Sequence, residues 1–172
     1  MACVRRYRAD DWASFIALET EAGLQTLRNA PEADRVGFGE RWSAVLRARY
    51  AWGDDGPTAD GAVVYVLDDE EGAYAGHLFL SERVDARTGR TWLWVTNVAI
   101  ARPHRSRGFG RLLMERALEE ARARGLADVG LDVDADNVVA RKLYEEMGFA
   151  TARLRMHRRT RPTQRPPADT EA

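Results

Sequence analysis

The chain has 172 residues, which suits one domain, and its 26 basic and 27 acidic side chains leave a formal net charge of −1. Charges of both signs are interspersed, which argues against a protein built to bind nucleic acid or an anionic membrane. A single cysteine excludes an internal disulfide, and no stretch of about 18 apolar residues could span a bilayer. Early arginines interrupt any signal-peptide core, so we expect a soluble, cytoplasmic protein without a metal site.

The first third of the chain predicts one strand and two helical regions. Residues 4–8 alternate briefly, and an aspartate pair then precedes a helix that runs to about Gly23. Residues 31–52 form a second helical region, which the glycines near its start break or delay. Residues 53–61 are rich in Gly, Asp and Pro and predict a loop.

Three strands follow in an antiparallel meander. Residues 61–67 and 74–84 are apolar runs joined by the acidic turn 68–72, which is typical of a hairpin. A second turn over residues 85–90 leads into the strand 92–100. Because these strands precede the strand–helix unit described next, the pattern favours a mixed sheet.

The connection after the third strand is the most informative part of the sequence. Arg105, Gly108 and Gly110 form R-x-x-G-x-G where an amphipathic helix must begin. The first turn of a helix has unpaired N–H groups and a partial positive charge, so it attracts anions. Glycines let a diphosphate approach those groups, and Arg105 and Arg107 add positive charge. The connection therefore predicts a phosphate-binding helix N-terminus.

Two other phosphate loops fit this connection poorly. A P-loop requires G-K-[ST], whereas Arg111 and Leu112 follow Gly110. The dinucleotide fingerprint requires a glycine where Leu113 stands, and it normally opens a series of alternating parallel units.

The last third predicts a helix, a strand, a second helix and a final strand. Gly125 ends the helix that follows the connection, and residues 129–133 alternate as a strand parallel to strand 92–100. Asp136 or Asn137 caps the next helix, and one strand or a pair follows over residues 149–157. The fold class is therefore α+β: a mixed sheet of six or seven strands with helices on both faces. We expect one domain over residues 1–159 and a disordered tail over residues 160–172.

Two segments of the chain resemble a known family. TNVAIARPHRSRGFGRLL is similar to the acyl-coenzyme A signature of the GNAT superfamily of N-acetyltransferases, and LDVDADNVVARKLYEEMGF continues the resemblance. The resemblance implies a GNAT-like domain that uses acetyl-coenzyme A as the acyl donor. Cys3 has no adjacent base that would make it a nucleophile, so we expect direct transfer to the amine.

The same resemblance assigns residues to the cofactor. It implies that the backbone of Val98, Ala99 and Ile100 pairs with the pantetheine arm, which Asn137 also contacts. It implies that Tyr144 protonates the departing thiolate. We expect the turn to bind the diphosphate of the cofactor. Its residues are Arg105, Ser106, Arg107, Gly108, Phe109 and Gly110.

A general base is harder to assign. A lysine-like amine with a pKa of about 10.4 costs roughly 4 to 5 kcal/mol to deprotonate at neutral pH, so a base is useful. Many family members carry a glutamate near the positions of Thr96 and Asn97, and neither of these side chains titrates usefully. His77 falls opposite the region of Val98 in the predicted hairpin. It is the candidate base, directly or through water, with Glu82 as the alternative.

Simpler readings stay open for each of these residues. Tyr144 lies on an apolar stripe and suits the core, Asn137 suits a plain helix cap, and His77 suits a solvated strand. A non-catalytic acyl-coenzyme A sensor is the alternative function, and a nucleic-acid role for the C-terminal arginines is a weaker one. The acceptor is open between a small-molecule amine and a protein N-terminus or lysine, and a homodimer is open as well.

Overall fold

The computed structural model describes residues 2–154 and residue 156. A 3₁₀ turn, Ala9–Asp11, precedes the first helix, and a second one, Arg102–His104, follows the fourth strand. The strands and longer helices, in chain order, are β1 (Cys3–Arg6), α1 (Trp12–Thr26), α2 (Glu32–Arg35), α3 (Phe38–Tyr50), β2 (Val63–Asp68), β3 (Tyr74–Val84), β4 (Thr91–Ile100), α4 (Phe109–Ala123), β5 (Val129–Leu131) and α5 (Val138–Glu146).

The strands form one mixed sheet in the order β1-β2-β3-β4-β5. Strands β1 to β4 pair antiparallel with one another. Strand β5 lies parallel to β4 because α4 crosses over between them. The predicted α+β class, the antiparallel meander and the parallel strand–helix–strand unit are therefore confirmed.

Helices cover both faces of this sheet, as the sequence predicts. We call the side under α4 and α5 the α4 face and the side under α1 and α3 the α1 face. Alternation along the strands sends Leu78 and Leu80 to the α4 face, where they join Leu113 and Met114 in one buried cluster. Phe79 points to the α1 face and joins a second cluster, whose other members include Phe15, Leu46, Tyr50, Val64 and Val66.

The prediction of six or seven strands is wrong for the described residues, since the sheet has five. The final strand predicted over residues 149–157 does not form in residues 149–154 or at 156. Phe149 packs its ring 5.9 Å from that of Tyr144, but the side chains from Thr151 to Leu154 are exposed. Because no face of that segment is buried, nothing sets a strand register there. The predicted tail 160–172 lies outside the described residues.

None of the helices in residues 2–154 is long and apolar enough to span a membrane.

Candidate active site

Strand β4 separates from β5 halfway along its length. Val95 pairs with Leu80 and Asn97 pairs with Phe79, so Thr96 is an extra residue that forms a bulge in β4. The pairing of β4 with β5 also ends at Val95. Beyond this point β3 is the only strand paired with β4 in residues 2–154, and we call the unpaired side of β4 the cleft.

The open half of β4 presents backbone groups to the cleft. The N–H of Ala101 donates to the carbonyl of Ala75 at 2.9 Å, so Ala101 faces β3. Backbone groups alternate along a strand, which turns those of Ala99 toward β3 and those of Val98 and Ile100 toward the cleft. The backbone N–H and carbonyl of Val98 and the N–H of Ile100 therefore face the cleft, whereas the Ile100 carbonyl accepts a hydrogen bond from Arg105.

The predicted phosphate turn begins α4 next to this cleft. Gly108 has a φ of 81° and Ser106 a φ of 61°, left-handed values that let the chain turn sharply into the helix. After Arg105, the next residue whose backbone N–H is paired is Leu112, which donates to the carbonyl of Gly108 at 3.1 Å. Within residues 2–154, no acceptor takes the backbone N–H groups of residues 106–111. Six consecutive donors thus lie at the positive end of α4.

The two arginines of the turn differ in their contacts. Arg105 folds back, and its guanidinium donates to the Ile100 carbonyl at 2.9 Å and to the Glu21 carboxylate at 3.0 Å. Arg107 places its guanidinium 5.1 Å from the centre of the Phe109 ring. Arg105 therefore braces the turn against β4 and α1, whereas Arg107 lies at its exposed surface.

Helix α5 lies beside the start of α4, since a Cβ added to Gly110 would meet the Leu143 side chain at 3.2 Å. The side chain of Asn137 accepts a hydrogen bond from the N–H of Ala140 at 3.2 Å, so it caps α5. Tyr144 is 9% exposed, and burial raises the pKa of its hydroxyl above the ordinary value. That hydroxyl makes no hydrogen bond to the described part of the chain. The hydroxyl is therefore protonated at neutral pH and has a free donor hydrogen as far as residues 2–154 are concerned.

His77 lies on the α1 face, fully buried, in a hydrogen-bonded network that the sequence did not predict. Its Nε2 is 2.8 Å from the Glu19 carboxylate, which only accepts, so Nε2 carries a hydrogen. Its Nδ1 is 2.7 Å from the hydroxyl of Tyr74. His77 pairs with Ala99, one residue from the position predicted for it. Both nitrogens of this buried imidazole are therefore occupied, one by Glu19 and the other by Tyr74.

Glu19 is the main residue that sequence reasoning missed. It is 2% exposed and accepts hydrogen bonds from Trp42 at 2.8 Å and Asn97 at 2.5 Å besides the one from His77. Burial by itself would raise the pKa of Glu19, but these donors hold it below the ordinary value, so the carboxylate is ionised at neutral pH. The available signal was an acidic residue four positions after Phe15, on the buried stripe of α1.

Two other carboxylates bear on the base: Glu82, which the sequence offered as the alternative, and Asp132, which the sequence did not single out. Glu82 forms an ion pair with Arg124 at 2.8 Å and pairs with Leu93, away from the cleft. Asp132 directly follows β5 where the cleft opens, and its side chain is exposed. Leu131 packs in the cluster of the α4 face, so alternation turns Asp132 to the α1 face.

Comparison with known families decides which fold this is. The model of the acetyltransferase (GNAT) family matches residues 24–149, which is most of the chain. The chain belongs to the GNAT acetyltransferase family. The match includes the cleft, the turn and α5, and it confirms the resemblance seen in the two sequence segments.

Individual relatives agree with this family. The chain is 39% identical over 138 residues to a mycothiol acetyltransferase of Beutenbergia cavernae, covering 80% of this chain and 38% of the relative. It is 39% identical over 59 residues to a ribosomal protein bS18-alanine N-acetyltransferase of Salmonella typhimurium, covering 34% of this chain and 40% of that protein. The chain thus spans about two-fifths of the length of these relatives.

The fold recurs among solved structures. A protein of Pyrococcus furiosus superimposes with a TM-score of 0.76 at 20% identity, covering 93% of this chain and all of that one. At this identity the likeness concerns the fold alone.

Proposed function

We propose that this GNAT family member transfers an acetyl group from acetyl-coenzyme A directly to a primary amine. The observation that carries the proposal is the turn of residues 106–111, where six consecutive backbone N–H groups have no acceptor in the described chain. The turn lies directly after the open half of β4 in the chain. A diphosphate supplies acceptors for the turn, and a pantetheine arm supplies amide partners for the strand.

Each cofactor-side residue has a defined task in this proposal. The turn from Ser106 to Arg111 binds the diphosphate through its backbone, and Arg107 adds positive charge at the surface. The backbone of Val98 and Ile100 pairs with the pantetheine arm, which fills the place that β5 leaves free. The N–H of Val98 is aimed at the thioester oxygen, where negative charge develops during attack. Asn137 contacts the same arm while capping α5.

Proton transfer is divided between two faces of the sheet. Tyr144 protonates the thiolate of coenzyme A as it leaves, because its raised pKa keeps the hydroxyl protonated at neutral pH. The amine must lose a proton, and we assign that proton to the exposed carboxylate of Asp132, directly or through water. His77, which the sequence made the candidate base, acts indirectly in this proposal by holding Glu19 from inside the core.

The names of the relatives suggest which amine acceptors to test. One is named for mycothiol and another for an alanine of ribosomal protein bS18, so we propose testing both small-molecule amines and peptides with an N-terminal alanine. Helices α1 and α3, which border the acceptor side of the cleft in this proposal, carry no sequence motif that favours either small-molecule amines or peptides.

Binding of coenzyme A tests the proposal first. At 100 times its Kd, coenzyme A should stabilise the protein by about 2.7 kcal/mol, which thermal unfolding measures. Release of free thiol from acetyl-coenzyme A should then depend on an added amine. Binding without amine-dependent thiol release across the panel would instead favour the acyl-coenzyme A sensor, and absence of binding would reject both functions.

A further inference from the structure

Glu19 is a buried carboxylate whose partners come from three other elements. His77 in β3, Trp42 in α3 and Asn97 in β4 all donate hydrogen bonds to it, at 2.5 to 2.8 Å. Burying an ionised carboxylate costs several kcal/mol, and its partners must offset that cost. The network thus ties the middle of α1 to two strands and a second helix at a single point.

One of these partners lies where β4 leaves β5. Asn97 directly follows the bulged residue Thr96, and beyond Val95 the backbone of β4 is bordered by β3 alone. A strand with one neighbour and a bulge is less restrained than a strand paired on both sides. The hydrogen bond from Asn97 to Glu19 supplies a second restraint there, from the α1 face.

The restrained peptide group is the one that the proposed chemistry uses. The peptide between Asn97 and Val98 contributes the Val98 N–H, which faces the cleft. We propose that Glu19 is a positioning residue for acetyl transfer, which acts through Asn97 to keep the Val98 N–H aimed at the thioester oxygen. This inference rests on the proposed function. Such a donor must hold its aim within a few tenths of an ångström to be effective, so loss of the restraint lowers kcat more than cofactor affinity.

The opposite face of the sheet offers a matched control. Glu120 in α4 is also buried, 6% exposed, and accepts a hydrogen bond from the Tyr65 hydroxyl at 2.5 Å. Its other partners are Arg116 and Arg124, and none of them lies on the open half of β4. Asn97→Ala and Tyr65→Phe each remove one neutral donor from a buried glutamate, so they separate positioning from a general loss of packing.

The experiment compares kcat, the Kd for coenzyme A and backbone amide exchange in the wild type and both variants. We expect Asn97→Ala to lower kcat at least tenfold with the Kd changed less than threefold, and Tyr65→Phe to leave kcat within twofold. In the free protein, exchange at the Ala99 N–H should be at least tenfold faster in Asn97→Ala and unchanged in Tyr65→Phe. Unchanged exchange or kcat in Asn97→Ala, or equal loss of kcat in both variants, overturns the proposal.

A conservative change at the glutamate itself guards against a folding defect. Glu19→Gln keeps an oxygen for Asn97, so it should retain more of kcat and slower Ala99 exchange than Glu19→Ala; equal losses in the two variants count against positioning. The Ala99 exchange is measured without ligand, so it judges the restraint on its own. If the wild type binds no coenzyme A, the proposed function fails whatever the exchange shows.

Discussion

The two faces of the sheet use buried polar groups differently. On the α4 face, Glu120 is surrounded by Tyr65, Arg116 and Arg124, which join a helix to a strand that is paired on both sides. On the α1 face, Glu19 reaches Asn97 on the one stretch of β4 that has lost a neighbour. Similar chemistry is therefore structural on one side and adjacent to the candidate site on the other.

Tyr144→Phe should have the largest effect, because it removes the only proton donor proposed on the α4 face. We expect kcat to fall by about 300-fold, within the range for loss of a general acid, while the Kd for coenzyme A changes less than threefold. Thiol release and calorimetry measure the two quantities. Tyr65→Phe removes a hydroxyl from the same face and should leave kcat unchanged; if it lowers kcat as strongly, the distinction between Tyr144 and the rest of that face is lost.

The pH profile sharpens this assignment. Burial raises the pKa of Tyr144, so the hydroxyl stays protonated at every pH below its ordinary value of 10.0. The acid is lost only as pH rises through the higher, folded-state value. A fall in kcat with a midpoint near pH 8 that vanishes in Tyr144→Phe would contradict the raised pKa.

Asp132→Asn tests the α1 face with the next largest effect. Removing the proposed proton acceptor should lower kcat about 100-fold at pH 7, and the deficit should shrink as pH approaches the pKa of the amine, since more amine is then already neutral. Asp128→Asn is the matched control, because Asp128 precedes β5 as Asp132 follows it, and its carboxylate contacts Arg90 at 3.3 Å. A deficit that stays constant with pH argues for a structural role of Asp132.

Gly108→Ala should weaken cofactor binding about tenfold, an intermediate effect. A side chain at a φ of 81° strains the turn and disturbs the N–H groups proposed to bind the diphosphate. Gly125→Ala introduces the same kind of strain at the other end of α4, where φ is 67° and a Cβ also meets no neighbouring atom. Calorimetry with coenzyme A should show a weaker Kd only for the first variant, although both should lower the melting temperature.

Asp136→Ala should have the smallest effect. Asp136 forms an ion pair with Arg28. The pair joins the segment after α1 to the loop before α5. Both side chains are about half exposed, and such pairs contribute about 1 kcal/mol or less. We expect a KM change for the acceptor of about twofold and no change in cofactor Kd. A change above tenfold in the acceptor KM or the cofactor Kd would mean that the segment after α1 and the loop before α5 are coupled in binding.

The two faces also differ in how much the sequence revealed. The turn at Gly108 and Gly110, the strand before it and the amphipathic α4 are local in the chain, so spacing and periodicity were enough to predict them. The Glu19 network joins residues up to 78 positions apart, and it forms only when α1 and α3 pack on the paired strands β3 and β4. Asn97 looked like a missing base in sequence, whereas in the structure its amide is a donor to a distant carboxylate.

Thr96 determines the shape of the cleft through chain length rather than side-chain chemistry. Val95 and Asn97 pair with consecutive residues of β3. Strand β4 therefore has one extra residue here, about 3.3 Å of backbone, that has no partner in β3. A deletion at this position would remove the bulge and keep every later side chain on its present face. The cleft is consequently more sensitive to the number of residues in β4 than to the chemistry of the Thr96 side chain.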